Sequence, residues 1–207
     1  MITGQPVEVL RSRYDILMWQ AVTLRNHSWH QRDLSGKLCV IRAGVPAADD
    51  GVTCEDWGGA TSRLFATGPS ASLSIGTDIC RQAAWLVSHE PDYLLTYPSN
   101  LGALMRSFRE HGSIPLRLKG IQTIGEVLPS CVRMECEELF GIQPVDLYSS
   151  QEVGNIALQC PESGLCHVQS ESLLVEVVDD SGRPCAPGET GRIIVTTLHG
   201  FAMPLLR

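Results

Sequence analysis

The sequence contains no long hydrophobic run and no excess of positive charge. No apolar stretch is long enough to cross a bilayer, and the first ten residues lack the apolar core of a signal peptide. The formal net charge is −7, which argues against binding to the phosphate backbone of nucleic acids, since that needs a basic surface. We therefore expect a cytoplasmic protein that binds neither membranes nor nucleic acid.

The sequence also lacks the cysteine spacing of a small secreted domain. Its eight cysteines are scattered through apparent strands and helices, so we expect most of them to be reduced and buried. One cluster combines metal-ligand types: Cys160, Cys166 and His167. Two thiolates and an imidazole can hold zinc, but the usual two-residue cysteine spacing is missing and a fourth ligand must come from elsewhere. A zinc site and a β-turn with incidental cysteines both remain open.

The composition is that of an ordinary globular protein, with 43% hydrophobic and 19% charged residues in 207 positions. Apolar periodicity and turn residues divide the first two thirds of the chain into alternating helices and strands. Helices are predicted at 11–29, 79–90, 98–111 and, with Ser130 as its cap, 130–140. Strands are predicted at 37–42, 93–97 and 119–124, a surface loop at 43–61, and an interrupted strand or extended segment, broken by a Gly-Pro pair, at 64–74. This alternation predicts a mostly parallel sheet with helices packed on it.

The pattern changes near residue 155. Residues 173–178 and 191–198 are apolar runs separated by Gly- and Pro-containing turns, which is typical of antiparallel hairpins. We therefore predict an α/β fold with a mostly parallel sheet at residues 1–154, followed by a small antiparallel β subdomain at residues 155–207.

The stretch from Asp146 to Gly154 carries the strongest chemical signal. A short apolar run at 145–147 reads as the end of a buried strand, and such strand ends hold ligands in α/β folds. A tyrosine there offers a flat face to a base, the next three residues can donate hydrogen bonds to phosphate, and a glutamate can hold a hard cation. These residues are Tyr148, Ser149, Ser150, Gln151 and Glu152. The alternative is a polar turn with a packed tyrosine and a solvated glutamate.

The order of short motifs resembles the adenylate-forming ligases, in particular the phenylacetate–CoA ligase and coenzyme F390 synthetase group. Thr3-Gly4-x-Pro6 looks like the end of that family's phosphate loop, and Gly125-Glu126 like its glycine–acid turn beside adenine. Residues 148–152 match its aromatic-to-acid motif, and residues 187–198 with the 203–207 ending match the run toward its ribose-binding aspartate. Gln151 departs from the threonine that many relatives carry.

The resemblance implies an enzyme that activates a carboxylic acid with ATP to an acyl adenylate and transfers the acyl group to coenzyme A. The expected acid is phenylacetate or another aryl acid, and the expected cofactor is magnesium held by Glu152, the expected catalytic residue. The implied nucleotide-binding residues are Thr3, Gly4, Gly125, Glu126, Val127, Tyr148, Ser149, Ser150 and Gln151. The candidates for the acyl pocket are Tyr97, Pro98, Ile124 and Gly154, although Tyr97 and Pro98 are equally well explained as a strand end and a helix start.

Several of the family's parts have no counterpart in the sequence. Most of the phosphate loop, the ribose-binding aspartate and the lid with its catalytic lysine are missing, so we expect a piece of a longer enzyme that is inactive alone. The alternative is a non-catalytic nucleotide-binding or assembly module that keeps the fold. A homodimer is a candidate assembly. His27 and His30 near the end of the first helix are expected to interact with the helix dipole, or else to serve subunit contact or acyl binding.

Overall fold

The computed structural model describes residues 9–48 and 50–202. Within these ranges the chain forms four helices: Arg13–Trp29 (α1), Ile79–His89 (α2), Pro98–His111 (α3) and Ser130–Phe140 (α4). The strands there are Leu38–Arg42 (β1), Val52–Cys54 (β2), Ser70–Ser74 (β3), Tyr93–Thr96 (β4), Gly120–Ile124 (β5), Val145–Ser150 (β6), Gly154–Gln159 (β7), Cys166–Val168 (β8), Leu173–Val178 (β9) and Arg192–Thr197 (β10).

The first eight strands form one sheet in the order β2-β3-β1-β4-β5-β6-β7-β8. The five strands from β3 to β6 in this order run parallel, while β2, β7 and β8 are antiparallel to their neighbours. Strands β9 and β10 pair antiparallel in a separate sheet. The predicted fold class, a mostly parallel sheet with packed helices and a small antiparallel sheet, is confirmed.

Strands β7 and β8 extend the large sheet beyond residue 155. The separate sheet therefore begins only with β9, and the division at residues 154 and 155 stays a prediction. The predicted loop at 43–61 contains β2, which pairs with β3 through Val52 and Ser72. All three β2 residues are exposed, so no apolar alternation marked this edge strand.

The helix ends follow the local sequence signals with one exception. Asp78 caps α2, since its Oδ1 accepts a hydrogen bond of 2.9 Å from the Cys80 N–H. Gly112 and Gly141 end α3 and α4 in the left-handed conformation that glycine adopts without strain. The prediction of Ser130 as a cap is wrong: Pro129 occupies that position, and Ser130 is the first helical residue.

The core lies between the central strands and the helices α2, α3 and α4. Its largest fully buried apolar side chains are Ile41, Leu73, Leu86, Leu101, Leu104, Met105 and Ile121. The apolar faces of α2 and α3 were recognisable from their spacing, because helical residues three and four positions apart share a face. No helix in the described part of the chain combines the length and apolar character needed to cross a membrane.

All eight cysteines are free, as expected, but most are not buried. Only Cys39 and Cys136 belong to the core, and burial raises the pKa of each thiol to about 12. Cys54, Cys80, Cys131 and Cys166 are exposed. The expectation of mostly buried cysteines is therefore wrong, because strand edges and helix surfaces accept this small residue as readily as the core does.

The end of α1 packs against the large sheet through aromatic and imidazole rings. The ring of Trp29 meets that of His167 at 5.8 Å, and His30 Nε2 lies 3.0 Å from the Gln159 carbonyl. Burial, with the nearby charge of Arg32, lowers the pKa of His27 to about 3. The imidazole of His27 is thus neutral near pH 7, and its interaction with the helix dipole, like the alternatives of subunit contact and acyl binding, stays a prediction.

Candidate functional site

The carboxyl ends of β4, β5 and β6 lie side by side in the large sheet. Thr96 pairs with Thr123 and Ile124 pairs with Leu147, so the residues that follow these positions share one edge. This edge brings together segments that are far apart in sequence: Tyr97 and Pro98, Ile124 to Val127, and Tyr148 to Gln151. Such an edge is where α/β folds hold their ligands.

Tyr148 lies inside β6, one position before a bulge in the pairing of β6 with β7. The residue is 45% exposed, so it is accessible to a ligand. Residues 145–147 are half-buried and β6 continues to Ser150, so the expected buried strand ending at residue 147 is wrong. The bulge redirects the strand at the point where the polar residues begin.

Glu152 occupies the turn between β6 and β7 and is exposed. Its carboxylate has no hydrogen-bond or ion-pair partner among residues 9–48 and 50–202. In the same ranges no three Asp, Glu, His or Cys side chains converge to hold a metal ion. Magnesium is usually held by one or two carboxylates together with water and phosphate oxygens. A single unpaired carboxylate at this turn fits that mode of binding.

A cleft of about 270 Å³ opens beside Glu152. It lies between the start of α1, the β6–β7 turn and the end of β10. Its lining includes Arg11, Asp15, Glu152, Asn155 and His199 together with three hydroxyl residues, and Gly154 is also part of its wall. The cleft therefore joins the predicted cation ligand to polar groups from both ends of the described chain.

Arg11 contacts the candidate stretch at residues 148–152 across 140 residues of sequence. Its Nη2 donates to the Gln151 carbonyl oxygen at 2.6 Å and to Gln151 Oε1 at 3.3 Å. With its oxygens engaged, Gln151 keeps its side-chain NH₂ as a donor, as a phosphate contact requires. Sequence reasoning missed Arg11, and no local pattern links it to the site.

Asp15 and His199 form a second long-range pair in the cleft. Asp15 Oδ1 lies 2.9 Å from His199 Nδ1, while Asp15 Oδ2 accepts hydrogen bonds from the backbone and hydroxyl of Ser12. Burial opposes ionisation, but the bonds from Ser12 and His199 outweigh it and lower the pKa of Asp15. The Ser12-x-x-Asp15 capping box was a readable signal for the start of α1. The contact with His199 was not.

Tyr97 links two neighbouring turns at the edge of the sheet. Its hydroxyl accepts a hydrogen bond of 3.2 Å from the Ala43 N–H. Its ring covers Gly125, where an added Cβ would lie 3.0 Å from Tyr97 Cε1. Gly125 has a φ of +76°, so its backbone conformation favours glycine, and an added Cβ would also crowd the Tyr97 ring. A direct contact of Tyr97 with an acyl group stays a prediction, as it does for Pro98 and Ile124.

Glu126 is engaged in a hydrogen-bonded contact with the start of α3. Its two carboxylate oxygens accept hydrogen bonds of 2.9 Å each from the Ser99 N–H and hydroxyl. The neighbouring Val127 is 89% exposed. Nucleotide contacts of residues 125–127 stay predictions, and Thr3 and Gly4 lie outside the described residues.

The three candidate zinc ligands do not converge. Leu158 pairs with His167 and Gln159 with Cys166, which places Cys166 and His167 on opposite faces of the β7–β8 ladder. Cys160 shares the face of His167. Hydrogen bonds, chiefly from Ser163, lower the pKa of the Cys160 thiol to about 7. The prediction of a zinc site on Cys160, Cys166 and His167 is wrong for the part of the chain described here.

Two curated relatives match much of the chain in sequence. Phenylacetate–coenzyme A ligase of Thermus thermophilus is 30% identical over 133 residues, which cover 61% of this chain and 30% of the relative. 4-Hydroxybenzoate–CoA/benzoate–CoA ligase of Rhodopseudomonas palustris is 28% identical over 143 residues, covering 67% of this chain and 25% of the relative. The match thus spans about a quarter to a third of these proteins. No protein-family model matches the sequence.

Solved structures share the fold over nearly the whole chain. A 2-hydroxyisobutyryl-CoA ligase in complex with 2-HIB-AMP and CoA aligns with a TM-score of 0.70 at 18% identity, covering 94% of this chain and 46% of that one. An anthranilate CoA ligase in complex with anthranoyl-AMP aligns with a TM-score of 0.69 at 16% identity, covering 95% and 37%. At such identities the likeness concerns the fold alone.

Proposed function

We propose that this chain, which belongs to the adenylate-forming ligase superfamily by sequence and fold, is part of an acid–CoA ligase. The enzyme would activate a carboxylic acid with ATP to an acyl adenylate and then transfer the acyl group to coenzyme A. The observation that carries the proposal is the sequence match to two CoA ligases over 61% and 67% of the chain. The exposed Tyr148 and the unpaired Glu152 support it.

The chemistry asks the protein mainly for positioning and charge. A carboxylate attacks the α-phosphorus of ATP while pyrophosphate leaves, so negative charge grows on phosphate oxygens. Glu152 would hold magnesium, and the magnesium would neutralise the negative charge on the phosphate oxygens. The amide of Gln151 and the hydroxyls of Ser149 and Ser150 would donate hydrogen bonds to the phosphates, and Tyr148 would stack on adenine. The thiol of coenzyme A is the second nucleophile, so none of the cysteines is needed as one.

The proposed acid is an aryl or arylacetic acid. Both curated relatives are named for aromatic acids, phenylacetate and benzoate. The half-buried Tyr97 and Ile124 offer apolar surface at the sheet edge beside the proposed phosphate-binding stretch. Gly154, the remaining candidate for the acyl pocket, lines the cleft beside Glu152.

The test is pyrophosphate release by the full-length protein with ATP, magnesium and a panel of aryl, arylacetic and aliphatic acids. We expect release that depends on an aryl or arylacetic acid, followed by consumption of coenzyme A thiol. Absence of release with every acid, together with binding of AMP measured by calorimetry, would replace the proposal by a non-catalytic nucleotide-binding module. A homodimer stays a prediction that light scattering on the same sample can check.

A further inference from the structure

Ser99 and Glu126 form a clamp between two neighbouring turns at the carboxyl edge of the sheet. Ser99 is the second residue of α3, just after β4, and Glu126 lies in the turn after β5. Both Glu126 oxygens are used: one accepts from the Ser99 N–H and the other from its hydroxyl, each at 2.9 Å. A carboxylate at this place also interacts favourably with the positive end of α3.

The clamp acts on a turn that is confined from its other side as well. The Tyr97 ring lies against Gly125, and the Tyr97 hydroxyl is tied to the Ala43 N–H after β1. The ends of β1, β4 and β5 are therefore linked in one chain of contacts. A glycine with a positive φ can adopt many other conformations, so it needs such neighbours to hold one of them.

We propose that Glu126 is a positioning residue that acts through Ser99 to hold the Gly125 turn in the conformation that receives the substrates. The inference rests on the proposed function. It assigns Glu126, which the sequence predicts to contact nucleotide, a different role. Both oxygens of the Glu126 carboxylate are bonded to Ser99 at the start of α3. The backbone of the Gly125 turn, and not the Glu126 side chain, then faces ATP and the acid. The residue then affects substrate binding without touching substrate itself.

Two other roles give different expectations. If Glu126 contacted nucleotide directly, its charge would matter and Ser99 would not. If Glu126 were only a helix cap, its loss would lower stability and leave substrate binding unchanged. Asp78 is a matched control for the second case, because its carboxylate caps α2 through the N–H groups of Cys80 and Arg81.

The first experiment compares Glu126→Ala, Glu126→Gln, Ser99→Ala, the double variant Glu126→Ala/Ser99→Ala and Asp78→Ala in the full-length protein. Glu126→Ala should raise KM for ATP and for the acid about tenfold, the effect of roughly 1.4 kcal/mol lost from a charge-assisted hydrogen bond, with kcat changed by less than about threefold. Glu126→Gln keeps one acceptor oxygen for the Ser99 N–H but loses the charge and the second acceptor, so its KM values should lie between those of the parent and Glu126→Ala. Ser99→Ala should be intermediate, and the double variant no worse than Glu126→Ala. Asp78→Ala should lower stability and leave both KM values unchanged.

The second experiment needs no activity. Amide hydrogen exchange should accelerate in Glu126→Ala at residues 99–102 and also at 123–127, whereas Asp78→Ala should affect only the start of α2. Acceleration confined to α3 would overturn the proposal, as would a Glu126→Gln variant as impaired as Glu126→Ala beside a normal Ser99→Ala. A parent protein that releases no pyrophosphate with any acid would refute the proposed function, while the exchange data would still decide whether the clamp holds the Gly125 turn.

Discussion

The carboxylate of Asp15 and the imidazole of His199 meet at 2.9 Å, although 184 residues separate them in the sequence. Asp15 belongs to the first turn of α1, and His199 follows β10 of the small antiparallel sheet. Their side chains are only 16% and 17% exposed. The pair therefore joins the small sheet to the helix that borders the cleft, within reach of the turn that carries Glu152.

We expect Asp15→Asn and His199→Gln each to lower the free energy of unfolding by about 1 kcal/mol, with a coupling of similar size in the double variant. The lowered pKa of Asp15 means that its stabilisation is present above its ordinary value of 3.8 and is lost as the pH falls below it. Denaturant unfolding from pH 7 to pH 3 measures both effects. Ser12→Ala is the control, because it breaks the capping box and leaves the pair with His199; strictly additive single variants would contradict a direct interaction.

Glu152→Gln tests the proposed cation ligand. The change removes the charge and keeps the size, so pyrophosphate release by the full-length protein should fall by about two orders of magnitude or more. Stability should change by less than about 0.5 kcal/mol, because the side chain is exposed and unpaired within the described residues. Magnesium titrations of the initial rate provide the measurement. Glu176→Gln on the exposed side of β9 is the matched control, and a Glu152→Gln variant with the parent's rate and magnesium dependence would refute the assignment.

Tyr148→Ala tests the proposed stacking on adenine. The 45% exposed ring contributes little to the core, so the variant should fold normally. Loss of about 1–3 kcal/mol of stacking should raise KM for ATP by about fivefold to 150-fold, with a smaller effect on kcat. Tyr148→Phe should behave like the parent. Tyr14→Ala removes another exposed ring, one that faces Phe201, and should leave KM unchanged.

The lowered pKa of the buried His27 leads us to expect that the free energy of unfolding depends on pH. Its pKa of about 3 in the folded protein lies below its ordinary value of 6.5, so the unfolded chain binds a proton first as the pH falls. Stability should therefore decrease between pH 6.5 and pH 3, at most by about 1.4 kcal/mol per pH unit. His27→Gln should flatten this part of the unfolding profile. His111→Gln removes an exposed imidazole from the end of α3 and serves as control; an unchanged slope in His27→Gln would contradict the neutral, buried state of this ring.

Local sequence signals were sufficient for most of the fold. Asp78 before an apolar helical face, and Gly112 and Gly141 after two others, marked the ends of helices because capping depends on neighbouring residues. Edge strand β2 lacked such a signal, since exposed strand residues show no alternation. The large sheet also continued past residue 155, because antiparallel strands that extend a parallel sheet have the same turns as a separate hairpin.

The candidate site was predicted only where it is continuous in sequence. Residues 148–152 and the turn at Gly125 were predicted as candidates because each is a short continuous motif, and their contacts with substrate stay predictions. Arg11 and His199 were missed, since their contacts with Gln151 and Asp15 bridge more than a hundred residues. The zinc prediction failed for a related reason: nearness in sequence did not reveal that Cys166 and His167 lie on opposite faces of a strand.

Gly125→Ala, compared with Gly141→Ala, separates backbone strain from crowding at the site. Both glycines have positive φ values, +76° and +68°, so either substitution should cost about 1–2 kcal/mol through the left-handed backbone. Only at Gly125 would the added Cβ meet a neighbour, at 3.0 Å from Tyr97 Cε1, whereas nothing lies within 4 Å at Gly141. Gly125→Ala should therefore lower the free energy of unfolding by about 1–3 kcal/mol more, the usual cost of overpacking. Unfolding in denaturant gives the two values, and the Tyr97→Leu background should remove most of the difference between them; equal losses in the parent background would show that the Tyr97 ring does not confine this turn.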